Sequence, residues 1–439
     1  MKPVWTRTLA ALFAVCAVLV LWLWESSASS RTRPLPDGSA LTLEDFAFTK
    51  GQLRCVYEPG GAFGKLIEPI APQTLRDRFD LGVRRELDVG GAGGSNFCFI
   101  ALNGCRKPGW ETSIVGAELF DDEGNISDVY QSDSFQYPHI AVNGGVFRIF
   151  PRRSREIGLR FFTQTTDGAW TNAAEFRMPN PFCAVYPQWT AERWPVTRRH
   201  GELQVTLEEF RTGAHESDPR GLSARRDDDA VVSHNTMARF SFAEGGVPSD
   251  NWRVENLIIS DATGNRMSRE LTDVRRTIDE RLLRPGTVEL CGALWPGESA
   301  WRLQVEVVRS GGFASNDLWT IPIQLPPPGG ELAFTNSWLL QNVRIKLSNV
   351  SLQNLGRDSG LACWLRMNVE GLAPGFGVFV VRARDRDGKA VPFTHYENRN
   401  SWLQWICLVP ELNATAIFLT LTVQRSVFEE FTARPEFLH

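Results

Sequence analysis

Histidine, tyrosine and methionine are scarce in this chain: six, five and five among 439 residues. Histidine is the side chain best suited to proton transfer and metal binding near neutral pH. None of the six sits at i, i+4 with another ligand on a helix pattern, so a helix-borne metal site is not expected. A basic excess is missing too, with 47 Lys+Arg against 51 Asp+Glu and a formal charge of -4. Without surplus cations to neutralise phosphates, no nucleic-acid partner is expected. No C-x-x-C occurs, which removes thioredoxin-like and zinc-ribbon readings. G-x-S-x-G, Walker, H-E-x-x-H and kinase signatures are all absent. The run Gly90-Gly91-Ala92-Gly93-Gly94 is followed by no helix pattern that would present its N-terminus to a phosphate, and reads as a loop or hairpin tip. No catalytic residue, metal or cofactor is therefore assigned. A glycosidase carboxylate pair has no short motif, but partition into small repeated units argues against the usual catalytic scaffolds.

Long apolar runs are also lacking, with one exception. Residues 9–24 are unbroken apolar, preceded by Lys2 and Arg7 and followed by Glu25-Ser26-Ser27-Ala28. Sixteen residues make about 24 Å of helix, short of a hydrocarbon core of roughly 30 Å. Two readings stay open. Ser26 and Ala28 have the spacing of a signal-peptidase site, giving secretion after Ala28. Alternatively Trp5, Trp22 and Trp24 are interfacial anchors of a retained helix, which makes the membrane itself a partner through residues 9–24. Either way the remainder is expected outside the cytoplasm: periplasmic or at the cell surface if the helix is retained, secreted if it is cleaved near Ala28.

Beyond the leader the chain compares well with itself. Leu41-Thr42-Leu43-Glu44-Asp45-Phe46 recurs as Val205-Thr206-Leu207-Glu208-Glu209-Phe210 and, more weakly, as Ile345-Lys346-Leu347-Ser348-Asn349-Val350. All three alternate apolar and polar residues, the period of a half-buried strand. Each is followed by an apolar run broken by Asp-x-x-Gly: Asp121 and Gly124, Asp261 and Gly264, Asp385 and Gly388. Aspartate hydrogen-bonds the backbone at a turn's start and glycine supplies the positive φ that closes it. Another alternating strand and an aromatic-Thr pair end each copy: Trp170-Thr171, Trp319-Thr320 and Phe431-Thr432.

The expected fold is all-β: three tandem β-sandwich domains, immunoglobulin- or fibronectin-like in architecture, after an N-terminal hydrophobic helix. The expected boundaries are a targeting segment at 1–30, a linker at 31–40 and a first sandwich at 41–182. A linker at 183–200, a second sandwich at 201–325, a Pro/Gly linker at 326–332 and a third sandwich at 333–439 complete the chain. Pro326-Pro327-Pro328 reads as a stiff spacer.

Two constellations in the third unit carry specific expectations. Cys363 and Cys407 lie in apolar segments and are the candidate disulfide, with two buried thiols as the competing reading. Trp402 and Trp405, three apart, point to opposite faces of a regular strand. One of them, beside Asn398, Arg399 and Asn400, would stack on a sugar; ordinary core packing competes. A polar insertion holding His215, Glu216 and Asp218 reads as a solvated loop. The leading function is a non-catalytic extracytoplasmic structural, adhesion or assembly module with a protein or glycan partner. A carbohydrate-binding protein using Trp402 and Trp405 is the alternative, and an extracytoplasmic hydrolase comes third.

Overall fold

The computed structural model describes residues 31–35, 40–49, 53–57, 69, 71–74, 85–89, 96–104, 114–123, 125–128, 131–136, 140–164, 170–214, 234–268, 286–334, 336–354, 361–398, 403–408, 410 and 414–438. The chain is all-β, with several sheets. No helix among the described residues is long and apolar enough to cross a membrane, and the apolar run 9–24 lies outside them.

The first strands are β1 (Thr32–Pro34), β2 (Ala40–Thr49), β3 (Leu53–Tyr57), β4 (Arg85–Val89), β5 (Asn96–Gly104) and β6 (Ile114–Phe120). They continue with β7 (Ile126–Asp128), β8 (Gln131–Gln136), β9 (Ile140–Phe147), β10 (Glu156–Gln164) and β11 (Trp170–Pro179). One sheet has the order β1-β2-β5-β9-β8 and another β11-β10-β6-β7. Their alternating apolar residues meet in a first core: Leu41, Leu43, Phe97 and Phe99 from one sheet, Leu119, Leu159, Phe161 and Phe176 from the other. Phe99 and Phe161 meet edge to face at 5.2 Å, the arrangement their ring quadrupoles favour.

Next come β12 (Val196–His200), β13 (Leu203–Ala214), β14 (His234–Glu244), β15 (Val247–Pro248), β16 (Trp252–Ser260), β17 (Arg266–Ser268), β18 (Thr287–Cys291) and β19 (Trp301–Arg309). They are followed by β20 (Trp319–Gln324), β21 (Glu331–Ala333), β22 (Ser337–Leu340), β23 (Val343–Asn354), β24 (Leu361–Glu370) and β25 (Phe376–Asp385). The last are β26 (Phe393–Asn398), β27 (Leu403–Leu408), β28 (Ala416–Arg425), β29 (Val427–Ala433) and β30 (Glu436–Leu438). A second core lies between the sheet β12-β13-β14-β15, which β18 and β30 also join, and the sheet β17-β16-β19-β29. A third lies between β20-β28-β25 and β21-β23-β24-β27-β26, with β22 on β23.

The repeat seen in the sequence has a shared backbone irregularity. In β2, β13 and β23 the pairing register slips between Leu43 and Asp45, Leu207 and Glu209, and Leu347 and Asn349. Glu44, Glu208 and Ser348 are thus the extra residue of a β-bulge at one and the same place in the recurring segment. The preceding Leu43, Leu207 and Leu347 are each buried.

The closing strands do not follow the repeat order. In the first core β11 folds back on β10, with Leu159 opposite Phe176. By analogy β20 should pair with β19 and β29 with β28. Instead Leu303 of β19 lies opposite Phe431 of β29, and Leu419 of β28 opposite Ile321 of β20. The cause is local. Only Ser426 separates β28 from β29, and a tight hairpin needs at least two loop residues. β29 therefore cannot turn back on β28; it runs on into the second core, and β20 fills the position beside β28. The third core is built by β20–β28, inserted between β19 and β29 of the second, which consists of β12–β19 and β29–β30 with Ile149 of the β9–β10 loop packed among them.

The expected spacers change meaning accordingly. Residues 326–330 turn β20 into β21 within the third core: Gly329 N–H donates to Leu352 O at 2.7 Å and Leu352 N–H to Gly330 O at 3.0 Å. The segment before β12 is fixed along β29, where Glu192 N–H donates to Thr432 O at 2.8 Å and Thr432 N–H to the Glu192 carboxylate at 2.9 Å.

Candidate functional site

The three Asp-x-x-Gly turns share one hydrogen-bond pattern. The aspartate N–H donates to the carbonyl four residues on, in the pairs 121–125, 261–265 and 385–389, and the same carboxylate accepts the N–H of residue i+4. Gly264 and Gly388 have φ of 98° and 82°, a conformation that disfavours any side chain; Gly124 lies outside the described residues. The residue after the glycine is asparagine in the first two turns, Asn125 and Asn265, each donating its Nδ2 to the aspartate Oδ2 at 2.8 Å, and lysine, Lys389, in the third.

In the second core this turn reaches the first core. Asp261 Oδ1 accepts from Thr263 N and Oγ1, Gly264 N and Asn265 N at 2.8–2.9 Å, and Oδ2 accepts from Asn265 Nδ2 at 2.8 Å. So held, Asn265 grips the loop between β9 and β10. Its Nδ2 donates to Phe150 O at 3.0 Å, and its Oδ1 accepts from Phe150 N at 3.3 Å and Arg152 Nε at 3.0 Å. The Arg152 guanidinium lies 4.4 Å from the Phe150 ring centre and 5.4 Å from that of Phe182. Next to it, Arg153 forms a two-bonded pair with Glu298 at 2.8 and 3.1 Å and donates to Tyr186 O and Pro187 O.

The electrostatics follow from burial. Loss of water pushes the Asp261 carboxyl up against the pull of its donors. Glu298 is pushed up for the same reason, Arg153 opposing and the Asp261 charge adding. Arg152 is pushed down by burial, the Asp261 charge opposing. Two perturbed carboxyls in one place are a feature of acid–base sites. Here, however, each Asp261 oxygen and each Glu298 oxygen already accepts hydrogen bonds within the fold. Among the described residues no group of three His, Cys, Asp or Glu could hold a metal ion.

Of the other sequence candidates, Cys363 is buried in the third core, opposite Leu408, whereas Cys407 lies opposite Trp364. Successive strand residues alternate faces. That register puts the two cysteine positions on different sides of one sheet and counts against a bridge between them. Trp405 sits on β27 opposite Arg366 and Tyr396. Trp402, and the loop with His215, Glu216 and Asp218, lie outside the described residues.

Sequence reasoning found Asp261 and Gly264 as turn residues and missed Asn265, Arg152, Arg153 and Glu298. The signal was the Asn directly after the glycine, together with an Arg pair following the aromatic-Pro step Phe150-Pro151. Comparison with protein-family models, curated proteins and solved structures finds no match.

Proposed function

We propose that this chain is a non-catalytic structural or assembly module. In this reading the three cores are β-sandwiches of immunoglobulin or fibronectin type. They stand outside the cytoplasm on a membrane anchor at residues 9–24, or are secreted after cleavage near Ala28. The observation that carries it is the joint at Asn265: the buried charged groups between the first and second cores are consumed in holding the cores together. The insertion of the third core into the second supports it too, because two covalent crossings restrain those cores where an ordinary tandem array has one. Protein or glycan partners then meet exposed faces and edges, without cofactor or nucleic acid.

The test is an activity screen over glycoside, ester and peptide substrates, run beside small-angle scattering on the full-length chain. The reading expects no turnover and scattering from a single rigid particle. Turnover lost in Glu298→Gln, or scattering that requires several arrangements of the cores, would overturn it.

A further inference from the structure

One wall of the second core is separated in the sequence from the rest of it by the third core. Phe431 and Ala433, fully buried there, arrive on β29, and the strands before it, β20–β28, all pair within the third core. The carrier of β29 and β30 is thus a whole lobe, 319–438. A single covalent tether, residues 310–318, ties that lobe to β12–β19 of its own chain, the other crossing, Ser426, lying within the lobe.

Every other contact across the seam is non-covalent. β29 pairs with seven residues of β19, Trp301 to Val307, and β30 lies parallel to Arg211, Thr212 and Gly213. The Gln424 amide brackets Arg309, accepting from its N–H at 3.0 Å and donating to its carbonyl at 2.7 Å. Arg253 Nη2 donates to Val380 O at 2.8 Å. None of these requires both sides to come from one chain. Nine extended tether residues reach about 30 Å; straightening the tether breaks the bonds from Ser310 N–H and Gly311 N–H to Asn251 O, at 2.6 and 3.2 Å in the closed chain.

We propose that a second copy of this chain is a partner for this seam: two copies exchange lobes 319–438, so that β29 and β30 of each close the second core of the other. The exchange extends the assembly reading above and rests on it. The closed single chain competes, because a short flexible tether holds its lobe at an effective concentration on the order of millimolar. Exchange therefore needs a comparable local concentration. Domain swapping needs no new surface, since it reuses contacts the single chain already makes.

Gln304 and Glu430 lie opposite each other in the β19–β29 register, their side chains bonded at 3.3 Å. One full-length copy would carry Gln304→Cys and another Glu430→Cys; the two are refolded together at about millimolar concentration and oxidised. Exchange predicts a linked peptide containing both new cysteines, from a particle of twice the chain mass. A double variant carrying both in one chain reports whether the pair can bond. No mixed link where the double variant links internally would overturn the exchange. So would a single-chain mass by light scattering for the unmodified protein refolded in the same way. Either failure leaves the structural role standing.

Discussion

Phe431 shows how far a residue's weight can lie from its place in the sequence. It stands close to the C-terminus, yet it is fully buried and its ring lies 5.7 Å from that of Phe240. Truncating such a ring removes its transfer free energy and leaves a cavity. We expect Phe431→Ala to lower the stability of the second core by about 3–5 kcal/mol in denaturant unfolding. A loss under about 1 kcal/mol would mean that β29 does not close that core. Asn265 is the corresponding residue for the joint. Asn265→Ala leaves the buried Arg152 Nε and the Phe150 backbone without these partners, at a cost of about 1–3 kcal/mol. The expected sign is a looser first core in scattering, with the second core's own unfolding little changed.

Acid dependence has opposite signs at two neighbouring places. Burial pushes Glu192 up, but bonds from Arg198 and the Thr432 N–H, with the Arg198 charge, outweigh it and hold it below the usual 4.5. A carboxyl lowered by folding contributes stability that is complete above its unfolded value and is lost as pH falls through the lowered one. Glu192→Gln should therefore flatten the acid side of the stability profile below about 4.5. Asp261 and Glu298 are raised, so they bind protons more readily folded than unfolded. Their contribution improves as pH falls through the window just above their ordinary 3.8 and 4.5. Mild acid should leave the joint closed. Opening of the joint in scattering as the pH is lowered into that window would contradict that sign.

At the scale of strands and turns, much was legible. Alternation marked β2, β13, β19 and β23, and Asp-x-x-Gly marked the turns, because both patterns report backbone geometry that the local residues determine. The identity of the partner strand was not legible in the same way. Trp319-Thr320 and Phe431-Thr432 look like local closures, and strand pairing depends on which core offers an open edge. The usable clue was Ser426: apolar residues recur at every second position at Ile417, Leu419, Leu421 and Val423 and again at Phe431 and Ala433, and one residue between the two strands leaves no room for a hairpin. Deleting residues 427–438 tests this directly. The third core holds all its own strands, so limited proteolysis should spare 319–425 and digest 196–309. The reverse pattern, or equal loss of both, would contradict the assignment.

For the whole molecule, composition supports the proposed structural or assembly reading and names no partner. The joint between the first two cores stayed hidden because it forms between residues 150–153 and 261–298, which no local pattern links. Insertion of the third core moves the units away from the boundaries that prolines suggest: Pro326, Pro327 and Pro328 belong to the turn from β20 into β21, and the crossings between cores are 310–318 and Ser426. One measurement tests that architecture most directly. A protease site placed between Gly312 and Phe313 of the full-length chain cuts the tether and leaves β29 and β30 attached to the third core. The account predicts that the two fragments remain one particle in native gel filtration and separate only in denaturant, because β29 and β30 still close the second core. Fragments that part on cleavage under native conditions would contradict it.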